Sequence, residues 1–124
     1  MRSIRSAAGA AVVLGALLLS ACGSSIDISH TETPCITPGQ TATVTITAPP
    51  GTQLTVTVQD DFGGTLQPAV APLTTDANGK ATITWQSPSQ LSTTTLHFIV
   101  NATHGTDHAT RDVHVVVGGN GRSC

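Results

Sequence analysis

From Thr41 onward, apolar and polar residues alternate with period two. Ala42, Val44 and Ile46 fall on one side, and Thr41, Thr43, Thr45 and Thr47 on the other. Successive side chains of an extended chain point to opposite faces, so this pattern predicts a half-buried strand. Ala48-Pro49-Pro50-Gly51 stops it, because proline has no N–H to donate and glycine permits a positive φ. Alternation resumes with Leu54, Val56 and Val58, giving a second strand joined to the first by the proline turn. Asp60-Asp61-Phe62-Gly63-Gly64 ends that strand, and Pro68 and Pro72 leave room only for short edge strands after it. Asp76-Ala77-Asn78-Gly79 is a turn signal, after which Ala81, Ile83 and Trp85 share one face. Beyond Ser87-Pro88-Ser89, residues 94–103 and 108–117 form a last pair of strands with Leu96, Phe98, Val100, Val113, Val115 and Val117 inward. A two-residue, glycine-first turn at Gly105-Thr106 sets their register. His97 then opposes His114, Phe98 opposes Val113 and Ile99 opposes Asp112.

No apolar pattern of helical period follows the N-terminal segment, and the content of β-branched residues is high, so the fold class is all-β. About seven short strands separated by turn signals fit an immunoglobulin-like Greek-key β-sandwich. The chain has one tryptophan, no tyrosine and two phenylalanines. A lone large ring on what reads as a middle strand is best placed at the packing centre, so Trp85 heads the expected core. Val44, Ile46, Val56, Ile83, Phe98, Val100, Val113 and Val115 complete it.

The N-terminus follows a different rule. Arg2 and Arg5 precede an uncharged run over residues 7–19, too short for a stable bilayer span, which has the form of an export signal. It closes on Leu19-Ser20-Ala21-Cys22, which resembles the lipobox of bacterial lipoproteins. That resemblance implies a cleaved signal peptide over residues 1–21 and a diacylglycerol on Cys22, which becomes the new N-terminus. Residues 22–34 then read as a lipidated tether, able to add an edge strand, and residues 35–124 as the sandwich domain. Lipidation would leave Cys35 and Cys124 of the chain's three cysteines as an even pair, expected to form a disulfide between the start and the end of the domain. Closing a loop of roughly 90 residues stabilises by on the order of 4 kcal/mol in the chain-entropy description.

Thr75-Asp76-Ala77-Asn78-Gly79-Lys80-Ala81-Thr82-Ile83-Thr84 is similar to the Thr-Asp-x-x-Gly-x-Ala-x-hydrophobic-x segment of bacterial Ig-like domains of the invasin and intimin kind. Pro38-Gly39-Gln40, ahead of the first alternating strand, is a second landmark. Those families string such units into stalks on large adhesins. This chain has one unit, so the resemblance implies a single sandwich displayed on a lipid.

Without residues 1–21, three basic residues (Lys80, Arg111, Arg122) face seven acidic ones (Asp27, Glu32, Asp60, Asp61, Asp76, Asp107, Asp112), a formal charge of −4. Scattered cations of this number do not match a phosphate backbone, which argues against nucleic acid, and they do not supply a polybasic membrane patch. The membrane contact would be the lipid anchor. No nucleophile motif or phosphate loop occurs, and a non-catalytic protein is expected. Four of the five histidines (His97, His104, His108 and His114) lie in or beside the last hairpin. With Asp112 they offer Zn²⁺ or Cu²⁺ a ligand set at His97 and His114, and His104, Asp107 and His108 offer a second at the tip. Asp60, Asp61, Asp76 and Asn78 carry hard oxygens suited to Ca²⁺ but read better as turn formers.

The expected function is therefore recognition, in which an anchored Ig-like module binds another macromolecule at the cell envelope. The partner is an envelope protein or, by similarity to small superinfection-exclusion lipoproteins, a phage component. Capture of a metal or small ligand by the His97/His114 hairpin is the alternative. Because Gly23 rather than aspartate follows Cys22, the address in a Gram-negative cell would be the outer membrane. In a Gram-positive or actinobacterial cell it would be the outer face of the plasma membrane.

Overall fold

The computed structural model describes residues 25–118 and 124. Residues 1–24, where the signal peptide, the lipidated Cys22 and the start of the tether are expected, lie outside the described residues. Within them every regular element is a strand: β1 (Ser29–Glu32), β2 (Cys35–Ile36), β3 (Thr41–Thr47), β4 (Gln53–Gln59), β5 (Leu73–Thr74), β6 (Lys80–Gln86), β7 (Thr95–His104) and β8 (Asp107–Val117). They form two sheets, ordered β1-β3-β6 and β2-β8-β7-β4-β5. All pairings are antiparallel except that of β2 with β8.

The period-two pattern is the direct cause of this arrangement. Each long strand buries one parity of apolar residues, with threonines on the other side of β3, β4 and β6, and the buried parities of the two sheets meet in one core. Trp85 comes from one sheet and Phe98 from the other, and their rings meet edge to face with centroids 6.1 Å apart. Side-chain volumes complement each other across the β3–β6 pair. Ala42 lies opposite Trp85 and Ile46 opposite Ala81, a small residue facing a large one at each end, with Val44 opposite Ile83 between them. Every residue expected in the core is buried, Val56 being the most exposed of them at 8%.

Part of the segment over residues 22–34, expected as a tether, packs into the domain. Ile26 and Ile28 are buried in the core, and β1 pairs with β3, so the domain extends upstream of Cys35. Their alternation, carried by only two apolar residues, continues as His30 and Glu32 at the sheet edge, where the His30 Nδ1 lies 2.8 Å from the Glu32 carboxylate. Charges of that parity on an edge strand discourage pairing with another chain. The proline turn joins β3 to β4 as expected, but the two strands belong to different sheets. The corner is closed by Thr75, whose hydroxyl donates to the Pro49 carbonyl at 2.7 Å and accepts from the Thr52 N–H at 2.8 Å.

Trp85 is buried, yet β6 is an edge strand, not a middle one. The segment over residues 60–72 covers that open side. Leu66 and Val70 pack against the core, and the Trp85 Nε1–H donates to the Pro68 carbonyl at 2.8 Å. Cys35 and Cys124 are disulfide-bonded across 89 positions of sequence.

The registers sort the connections to two ends of the sandwich. At the hairpin end lie the β3–β4 corner, the 76–79 turn and Gly105-Thr106, and Ser25 bridges to His108 there. At the loop end lie residues 60–66 and 87–94, together with Cys35.

Candidate functional site

Gly105, with φ +63°, opens the turn between β7 and β8, and the strands pair in the expected register: His97 with His114, Phe98 with Val113, Ile99 with Asp112. Opposite residues of an antiparallel pair share a face, as do residues two apart on one strand. Since Phe98 and Val113 point into the core, His97, His114 and Asp112 stand together on the outer face of the larger sheet. Their rings and carboxylate form a compact cluster. The two imidazoles meet with centroids 4.5 Å apart. The His97 Nδ1 lies 3.1 Å and the His114 Nε2 3.2 Å from the same Asp112 oxygen, Oδ2.

A fourth group joins from outside the hairpin. Asp61, just past the end of β4, places Oδ1 3.0 Å from the His97 Nε2. Its other oxygen accepts from the Thr95 N–H at 3.0 Å, and its own N–H donates to the Thr94 hydroxyl oxygen at 3.2 Å. His97 is thus held between two carboxylates, and when protonated its ring donates to both. The bond to Asp61 raises the His97 pKa above the ordinary value; partial burial opposes this and Asp112 assists it. The Asp61 pKa is lowered by the His97 bond first and the Thr95 N–H second. At Asp112 partial burial pushes upward, but the bonds to His97 and His114 outweigh it and the pKa falls.

The second expected cluster does not assemble. His104 pairs with Asp107 and His108 with Thr103, so the two histidines occupy opposite faces of the hairpin tip. Among the described residues, His97, Asp112 and His114 are the group with metal-ligand spacing. The hard oxygens are likewise divided: Asp60 and Asp61 lie at the loop end, Asp76 and Asn78 at the hairpin end. Asp60 Oδ1 accepts the Phe62 and Gly64 N–H groups at 2.9 Å, and Asp76 Oδ1 accepts those of Asn78 and Lys80 at 2.9 and 3.0 Å. Both carboxylates are occupied as turn formers.

Phe62 carries no periodic or motif signal in the sequence. It is 95% exposed at the loop end, on the rim of an open groove of about 470 Å³. Leu66, Pro88 and Leu91 give the groove an apolar lining, and Pro88 with residues 90–94 forms its far wall. The Asp60 turn presents Phe62 outward because its side chain closes the Phe62 and Gly64 amides, and Gly63, at φ +80°, completes the bend. A large aromatic beside an apolar groove is a surface that gains by covering. No protein-family model and no curated protein matches this chain.

Proposed function

We propose that the protein is a non-catalytic, lipid-anchored, immunoglobulin-like module that binds another protein at the bacterial cell envelope through its loop end. The observation that carries this reading is the position of Phe62 and its groove at the end opposite the one where the chain enters the domain. Cys22 precedes Ser25 by three positions. A lipid on Cys22 would hold the hairpin end within about 10 Å of the bilayer surface, since an extended residue spans at most about 3.5 Å. The loop end would then face outward with its aromatic residue exposed.

The strand order supports the immunoglobulin-like reading. The N-terminal segment gives β1 to one sheet and β2 to the other, the latter parallel to the last strand, and consecutive β3 and β4 lie in opposite sheets. Sandwiches of this type serve many functions, so the site and not the fold carries the recognition argument.

The test is crosslinking in the native host followed by mass spectrometry, with Cys22→Ser and Phe62→Ala as comparisons. One envelope or phage protein enriched with the unaltered chain and lost with both variants is the expected result. A membrane fraction unchanged by Cys22→Ser removes the anchor, and a partner retained by Phe62→Ala removes the loop end as its site.

A further inference from the structure

We infer that His97, Asp112 and His114 form a zinc site on the outer sheet face, with Asp61 as the outer carboxylate that orients His97. The site is independent of the recognition reading and stands or falls without it. Three features of the cluster carry it. The donor set is two imidazoles and a carboxylate, a combination suited to zinc and poorly suited to Mg²⁺ or Ca²⁺, which prefer oxygen. The three donor atoms lie within 4.8 Å of one another. Metal–ligand bonds of about 2.0–2.1 Å at tetrahedral angles place donors about 3.3 Å apart. The His97 and His114 nitrogens are already 3.1 and 3.2 Å from Asp112 Oδ2. Closing the two imidazoles on an ion then needs side-chain rotation only, since the ligands sit on adjacent strands of one sheet.

The third feature is Asp61. A metal-bound histidine generally donates its other ring N–H to a carboxylate, which fixes tautomer and ring orientation. Here the His97 Nδ1 faces the ligand cluster and the Nε2 faces Asp61 at 3.0 Å. Asp61 is itself held by the Thr95 and Thr94 contacts, so it is a positioned group, not a passing surface charge. In the metal-free protein a proton on Nδ1 bridges to Asp112; zinc takes its place and the proton leaves. The His114 and Asp112 side chains are 56% and 46% exposed, so the fourth position opens to water. Because Asp61 precedes Phe62, a filled site also braces the turn that presents the aromatic residue.

Untagged full-length protein, titrated with ZnCl₂ by calorimetry, tests the assignment. One ion per chain is expected, with a rise in melting temperature that MgCl₂ does not reproduce. His114→Ala and Asp112→Asn each weaken binding at least tenfold while the metal-free variants still unfold cooperatively. Asp61→Asn keeps the stoichiometry and weakens affinity by about tenfold, the usual cost of an outer partner. Absence of zinc uptake, or uptake undiminished when His97→Ala and His114→Ala are combined, overturns the site. Unchanged affinity in Asp61→Asn overturns the role given to Asp61.

Discussion

The β7–β8 hairpin and the segment over residues 60–72 meet at Asp61, which contacts His97 and the Thr95 N–H, and they are built by opposite means. The hairpin has ten consecutive residue pairs set by one two-residue turn. Its face pattern follows from that register, and a chemical cluster appears where polar residues of the outer parity coincide. The 60–72 segment has no such ladder. It is fixed at separate points: the Asp60 turn, the Leu66 N–H on the Val58 carbonyl at 2.8 Å, and the Pro68 carbonyl on Trp85. Local pairing thus specifies donor geometry, while scattered long-range anchors leave an apolar side chain free to face solvent. The first suits metal ligation, which needs fixed distances; the second suits a partner, which supplies the missing contacts itself.

Breaking the segment's anchor should have the largest effect. Trp85→Ala removes the ring between the sheets and should cost about 3–5 kcal/mol in chemical denaturation. Trp85→Phe keeps most of the bulk and leaves the Pro68 carbonyl without its donor, a cost of about 1–3 kcal/mol. The comparison predicts that amide exchange then rises in the 60–72 segment before it rises in β7 and β8. Uniform acceleration would mean the two regions open together. Replacing Cys35 and Cys124 by serine lengthens the free chain by an 89-position loop and should cost up to about 4 kcal/mol, read as a lower denaturation midpoint. Gly79→Ala should cost about 1–3 kcal/mol, because its φ is +77° and a Cβ there would overlap the Ala48 carbonyl. That change acts at the hairpin end and should leave zinc binding intact.

The same contrast explains what was legible in the sequence. The β3, β4, β6, β7 and β8 cores follow from alternation alone, and the His97–His114 pairing follows from one turn. Asp61 could not be assigned to that cluster in advance. Its approach depends on β4 pairing with β7, Gln59 opposite His97, and no short connection fixes that pairing. The edge position of β6 was hidden for a related reason. Two strands joined by a short proline turn look like neighbours in one sheet, and nothing local in Ala48-Pro49-Pro50-Gly51 says that the chain crosses to the other. The core role of Ile26 and Ile28 was obscured by the brevity of their alternation among polar residues. Phe62 lies outside any periodic run, so its exposure depends on the folded turn around it.

The smallest stability effects carry the sharpest functional division. Phe62→Ala and His114→Ala both remove exposed side chains, and each should change the folding free energy by no more than about 0.5 kcal/mol. Their functional consequences should separate. Phe62→Ala should abolish capture of the proposed envelope partner while zinc titrates as in the unaltered chain, because its side chain is not a ligand. His114→Ala should lose zinc while the partner is still captured, with at most a modest weakening transmitted through Asp61 and the neighbouring turn. Side-by-side calorimetry and crosslinking on the two variants read both properties. If either variant loses both, the hairpin face and the loop end are one site, and the division between locally paired and long-range-anchored regions has no functional counterpart.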